Sequence, residues 1–299
     1  LARDAVYEGI VTRTRGQFHA QVADAMEALY SDGLDEHHEQ LAYHYERGGN
    51  IAEAVEHLRQ AGVFALDKYA LKEADDLFSR ALDLKSVESN DTVTASLLFS
   101  RGQTRSYLND AKKSLVDTER AFRMYLSSGA TDAALNVAGT GLSVGKEIPR
   151  EAIGLAKPNS IEAARIQMHL KHPNSFSRAE LEDVLRIAVR DSDRKLPARV
   201  LLLLALRDAR SDKFEDASLK MQEALDLSTQ LGDLQEMAST HRMFGTLYAD
   251  RGDYARAEEH REVCLKIAQE TGLRGIIGGI HTTDAAAAYS VGELQKTIS

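Results

Sequence analysis

The 299-residue sequence contains no tryptophan and a single cysteine, Cys264. One thiol excludes an internal disulfide framework and suits a reducing compartment, so a cytoplasmic location is expected. Proline occurs four times and aromatic residues make up only 6%, which argues against an all-β domain. No run of about 18 apolar residues occurs, so no membrane span is expected. The opening residues Leu1-Ala2-Arg3-Asp4 carry neither an initiator methionine nor a signal-peptide pattern, and the expectation is a piece of a longer protein. Positive charge is in deficit, with 37 Lys and Arg against 46 Asp and Glu, a formal net charge of -9. Such a chain repels phosphate backbones, and nucleic acid is not expected as a partner.

What remains is material for helices. Hydrophobic residues make up 43%, and the abundant Ala, Leu, Glu and Arg favour helix. The last hundred residues repeat at an offset of 40: Leu204 with Phe244, Ala205 with Gly245, Phe214 with Tyr254, Ala217 with Ala257, Ala224 with Cys264, Leu225 with Leu265 and Gly232 with Gly272. A further step reaches Asp284, Ala285, Ala288, Gly292 and Leu294, where the sequence stops. Phe214, Ala217, Met221, Ala224 and Leu225 fall on one helical face. Ala205, Gly245 and Ala285 stand where paired helices must approach closely. Turns are expected at Ser211-Asp212-Lys213 and Arg251-Gly252-Asp253, and helix ends at Gly232 and Gly272.

His241-Arg242-Met243-Phe244-Gly245-Thr246-Leu247-Tyr248, then Gly252-Asp253-Tyr254 and Ala257, is similar to the signature of the tetratricopeptide (TPR) repeat family. The forty-residue period resembles the long-helix repeats of spindle-orientation adaptors and bacterial signal-transducing ATPases. The resemblance implies an all-α, right-handed superhelical solenoid of antiparallel helix pairs. Upstream the same grammar is looser. Leu41, Ala42, Tyr45, Ala54, Leu58 and Ala61 form one pair around Arg47-Gly48-Gly49-Asn50. Leu71, Ala74, Phe78, Ala81 and Leu82 mark a helix packed on Ala61 to Leu66, and Gly102, Ala111, Leu115, Ala121 and Phe122 suggest another pair. The expected organisation is a helical linker over 1–31, degenerate TPR-like repeats over 32–130, degenerate helical repeats over 131–195, and regular repeats over 196–299. In the degenerate middle, Pro149, Pro158 and Pro173 are expected at breaks between helices near 131–145, 150–156, 159–171 and 177–190.

Residues 1–31 do not follow the repeat. Arg15, His19, Ala23 and Glu27, four apart, line one helical stripe. With Glu39-Gln40-Leu41-Ala42-Tyr43-His44-Tyr45-Glu46 and Ala54-Val55-Glu56-His57-Leu58, they resemble the TPR region of ATPases linked to class III adenylate or guanylate cyclases, of the soluble adenylyl cyclase kind. That resemblance covers about the first 85 residues and implies cyclase and ATPase domains upstream. Transcription regulators with the same ATPase–TPR layout would give much the same residues.

Catalytic signals do not assemble. Thr140-Gly141-Leu142-Ser143-Val144-Gly145-Lys146-Glu147 looks like a phosphate loop, but Thr140 stands where glycine is needed and Glu147 where Ser or Thr is needed. His38-Glu39 is followed by Ala42 where a zincin has its second histidine. His37 with His44, and His169 with His172, lack a third ligand. Cys264 falls on a packed face and reads as a buried, inert thiol. No catalytic, cofactor-binding or metal-binding residue is expected, and no cofactor.

The expected partner surface is the concave face, which first helices line in TPR proteins. It carries Arg199, Leu202, Leu206 and Arg210, then Arg242, Thr246 and Asp250, then Tyr289 with Thr282 and Ala286. Leu202 and Leu206 read equally well as core. The arginines either grip partner carboxylates or pair with Asp208, Asp212 or Asp250. The Lys and Asn clamp of chaperone-binding TPRs is missing from this pattern. The function expected is a non-catalytic interaction and regulatory scaffold of an ATPase-linked signalling protein, with the neighbouring domains of its own polypeptide as partners. The alternative is a stand-alone adaptor that captures a protein or peptide in its groove.

Overall fold

The structure, a computed structural model, describes residues 12–85, 91–141, 146–273 and 276. Two stretches of the chain form compact units, Leu1–Ser106 with Asp110–Ala134, and Tyr107–Asn109 with Leu135–Ser299. Among the described residues there is no strand. The helices are α1 (Thr12–Leu29), α2 (His38–Gly48), α3 (Ile51–Asp67), α4 (Leu71–Lys85), α5 (Thr92–Tyr107), α6 (Ala111–Ser127), α7 (Thr131–Gly139), α8 (Glu147–Ile153), α9 (Ile161–Leu170), α10 (Arg178–Arg190), α11 (Leu196–Arg210), α12 (Phe214–Leu231), α13 (Leu234–Asp250) and α14 (Tyr254–Thr271).

In the first unit, the four-residue spacing along α1 buries His19 and Ala23, and Ala23 packs with Leu41, Tyr45 and Ala54. The α2–α3 turn passes through Gly49 at φ +83°, a left-handed conformation that glycine adopts without a Cβ clash. Helices α3 and α4 touch where Gly62 faces Phe78: a Cβ on Gly62 would lie 2.6 Å from the ring. Helix α3 therefore packs on α2 and on α4 alike. Helices α5 and α6 meet through polar contacts, with Ser114 Oγ donating to the Gly102 carbonyl at 2.7 Å.

The second unit shows the forty-residue repeat directly. Helices α12 and α14 begin at Phe214 and Tyr254, each runs 18 residues, and each ends on a left-handed glycine, Gly232 or Gly272. Ala198, Leu201, Leu202 and Ala205 of α11 pack with Ala217, Met221 and Ala224 of α12 and with Phe244 and Leu247 of α13. A Cβ on Gly245 would lie 3.3 Å from the Ala257 carbonyl, so the small residue sets how closely α13 meets α14.

The middle segment differs from expectation in its breaks. Helix α7 ends at Gly139 and α8 starts at Glu147, with Pro149 inside the first turn of α8 rather than before it. The missing proline N–H has no intrahelical partner there, so the ring is tolerated. Pro173 opens a short 3₁₀ turn. Helix α10 opens with a reciprocal capping box, Ser177 with Glu180, which satisfies two of the orphan amides at that end.

Candidate functional site

Helices α9, α11 and α13 are the first members of successive pairs in the second unit, and α11 touches α13 directly. Arg199, one turn into α11, is exposed. Among the described residues it has no carboxylate within ion-pair distance. Two groups from the flanking first helices lie within its electrostatic reach, His169 of α9 and Glu236 of α13.

His169 is fixed by its backbone neighbours. Its Nε2 lies 3.0 Å from the Gly139 carbonyl oxygen, so the Nε2–H donates. Burial pushes its pKa down to about 4, the Arg199 charge adds to the depression, and the Gly139 bond opposes it. Gly141 makes room for the ring: it has φ +69°, and a Cβ there would fall 2.2 Å from the imidazole. The glycine that lends residues 140–147 their phosphate-loop look is thus the seat of a histidine. Glu236 has its pKa raised, chiefly by burial and further by Asp233, while Arg199 and Lys195 pull it down. Around Arg199 there is therefore a cation, a neutral imidazole and a carboxylate that loses its proton reluctantly. Such a set can recognise polar or charged groups.

The other expected groove residues are spread along the helices. Leu202 is 4% exposed and belongs to the core, which removes it from the partner surface. Leu206 is half-buried. Arg210, at the far end of α11, is exposed, and its Nη1 donates to Asn174 Oδ1 at 2.7 Å. Arg242 occupies the position forty residues after Leu202. It is half-buried and close enough to Cys264 for its charge to oppose the upward shift that burial imposes on the thiol. Thr246 is half-buried and donates back to the Arg242 carbonyl at 3.3 Å. Asp250 is exposed at the end of α13. Tyr289, Thr282 and Ala286 lie outside the described residues.

Among the described residues, Asp208 and Asp212 pair with cations other than Arg199, Arg210 and Arg242. Asp208 is held by Arg178 and by Lys220, whose Nζ is 2.8 Å away. Asp212 pairs with Arg251 at 2.7 Å. The histidine pairs read from sequence also separate. His37 stacks on Tyr30 at 3.8 Å whereas His44 meets His19. His172 accepts from the Asn174 amide while His169 faces Gly139. Among the described residues no three His, Cys, Asp or Glu side chains could hold a metal ion, and no helix is long and apolar enough to cross a membrane. Cys264 is buried.

The sequence pointed to His169 only as a metal-ligand candidate with His172, and it did not point to Glu236 or Asn174. Glu236 opens the regular repeat beside Arg199 and could have been found from the register. His169 and Asn174 sit in the degenerate segment, where no register points to them.

No protein-family model matches the sequence, and no curated protein matches it. Solved structures do. The Rap conjugation gene regulator of the plasmid pLS20, in complex with the Phr* peptide, is 13% identical with a TM-score of 0.54, over 87% of this chain and 73% of that one. A Rap protein complexed with competence and sporulation factor is 12% identical with a TM-score of 0.42, over 96% and 85%. BtubC (BKLC) from P. vanneervenii is 15% identical with a TM-score of 0.35, over 84% and 92%. At these identities the first likeness speaks for the fold alone, and the other two carry no argument. The fold is all-α and TPR-like, built of antiparallel helix pairs.

Proposed function

We propose that this chain is a non-catalytic adaptor that holds an acidic peptide segment of a partner along the first helices of its second unit. The observation that carries the reading is Arg199: an exposed guanidinium on the helix expected to line the groove, with no carboxylate in ion-pair distance among the described residues, in a chain of net charge -9. A planar guanidinium bonds two carboxylate oxygens at once. Arg210, bonded among the described residues to the neutral amide of Asn174, supplies a second cation about 16 Å along the same helix, from 1.5 Å of rise per residue. A peptide of a few turns spans that distance. A regulator of similar fold in complex with a peptide supports a peptide as the kind of partner. The test is selection of peptides from a random display library on the full chain. Enrichment of sequences with two carboxylates about ten to sixteen ångströms apart is expected. Enrichment of basic or purely apolar sequences would overturn the reading.

The finer reading, in which the chain regulates a cyclase or ATPase on the same polypeptide, rests on the resemblance of the first 85 residues alone, and the comparisons lend it no support. A phosphate loop encoded upstream in the gene would revive it.

A further inference from the structure

Two hairpins, α2–α3 in the first unit and α13–α14 in the second, carry the same three rings in the same register. In each, a histidine on the first helix (His38, His241) precedes a tyrosine by seven positions (Tyr45, Tyr248). It precedes a histidine on the second helix by nineteen (His57, His260). In each, the two imidazoles meet Nδ1 to Nδ1 at 2.9 Å. In each, the tyrosine lies nearly parallel to the second histidine: Tyr45 on His57 at 5.2 Å and 5°, Tyr248 on His260 at 5.6 Å and 12°. The same constellation built twice, in separate units, is a repeated device rather than an accident of packing.

The contact dictates a protonation state. An Nδ1···Nδ1 hydrogen bond needs one ring to donate and the other to accept through a lone pair. It survives with no proton added or with one. It cannot survive with two, because two N–H groups and two positive charges would then face each other. We propose that the His38–Tyr45–His57 and His241–Tyr248–His260 sets are matched pH-sensitive latches, each holding the first helix of its hairpin against the second until a second proton enters the pair. His38 and His241 sit on first helices, so release loosens the helices that carry the groove face.

The surroundings set the order of release. About the first latch, Asp35 lies 3.9 Å from His38 Nε2 in the turn before α2. Glu56 and Arg59 of α3 act on His38. Glu27 of α1 lies 3.1 Å from His57 Nε2 and also bonds Tyr45, near Asp24 and Glu53. About the second latch, Glu259 acts on His260, and the Arg256 guanidinium lies 5.6 Å over the Tyr248 ring. Rings also pack on it: Phe244 stacks on His260 at 4.6 Å, and Phe214 of α12 meets Tyr248 edge-on. Carboxylates favour an imidazolium and apolar rings oppose it, so the first latch releases at the higher pH. In support, burial and then His260 hold His241 down at about 4, while Asp35 and Glu56 counter the lowering of His38 by burial and His57. His19 and His44 also meet at 2.9 Å, between α1 and α2, but without the tyrosine register.

The linkage has a definite sign. His38, His241 and His260 bind protons more weakly folded than unfolded, so closure is complete above the ordinary value of 6.5 and weakens as pH falls toward the folded value. Hydrogen exchange of the full chain at pH 7.5 and pH 5.0, corrected for intrinsic rates, tests it. Protection in α2–α3 and in α13–α14 should fall about tenfold per pH unit below 6.5. Protection in α6, which has no histidine pair, should hold. The double variant His241→Leu/His260→Phe should remove the pH dependence from α13–α14 and leave it in α2–α3. Should that variant not fold, imidazole NMR of the unaltered chain decides. Two separated steps are expected for each pair, both of them below 6.5 in the His241–His260 pair. Unchanged protection between the two pH values, an unchanged pH response in the double variant, or four independent midpoints at the ordinary value would each overturn the proposal.

Discussion

Arg101 holds Asp117 through two parallel hydrogen bonds of 2.8 Å, Nε to Oδ2 and Nη2 to Oδ1. Asp117 is only 3% exposed, and Arg105 Nη1 donates to it as well, at 2.7 Å, while Arg105 Nε reaches Asp75 at 2.7 Å. This network joins α4, α5 and α6. Removing one member leaves buried charge uncompensated, which costs about 3–5 kcal/mol. Asp117→Ala should therefore lower the stability of the first unit by that amount in urea denaturation. A loss under about 1 kcal/mol would show that the two arginines reach water, and would contradict the network's role.

Ala217 and Ala257 occupy the same place in successive repeats, at 0% and 7% exposure, where the second helix presses on the first. Ala217→Phe should cost about 1–3 kcal/mol through overpacking. Ala257→Phe should cost a similar amount, since the Ala257 carbonyl already sits close over Gly245. Neutral results at both positions in chemical denaturation would contradict the register of the forty-residue repeat.

Gly141→Ala places a Cβ inside the His169 imidazole and at a left-handed φ. The expected cost is about 1–3 kcal/mol, with the imidazole displaced toward solvent. Its pKa should then rise from about 4 toward the ordinary 6.5. Because the native value is depressed, the stability that His169 contributes is present above 6.5 and lost as pH falls through the folded value. The variant should show less of that loss. NMR of the His169 ring reads this directly, and an unmoved midpoint would contradict the placement.

Helices α7 and α8 have 9 and 7 residues, against 18 for α12 and α14. Short helices bury little and open easily, and repeat arrays unfold in parts. Amides of α7 and α8 should exchange faster than those of α12 and α14 at neutral pH. Uniform protection would contradict this.

The all-helical class and the regular repeats were legible because periodic apolar positions and turn residues agreed, as at Phe214 and Tyr254 or Gly232 and Gly272. Leu202 was ambiguous because a residue on the shoulder of a helical stripe faces core or groove according to how closely the next helix sits, which spacing alone does not fix. Pro149 was placed one turn early because a proline is equally at home just before a helix and inside its first turn. The electrostatic effect of Arg199 on His169 was out of reach, since residues 131–190 depart from the forty-residue register. The paired His-Tyr-His sets were present in the sequence but separated by a distance that is not a multiple of the repeat, so comparison at offset 40 passed over them.

Whether cations on α11 grip an acidic peptide is decided by one binding comparison. A display-selected, fluorescently labelled acidic peptide is titrated by anisotropy with the unaltered chain, with Arg199→Ala/Arg210→Ala, and with Arg186→Ala/Lys266→Ala, which removes the same charge from second helices. Charge-assisted hydrogen bonds contribute about 1.5–3 kcal/mol each, so the α11 variant should bind at least about tenfold more weakly at unchanged stability, while the second-helix variant binds as the unaltered chain does. Equal weakening in both variants would mean that net charge alone attracts the peptide, and undiminished binding by the α11 variant would place the partner on another surface; either result contradicts the account.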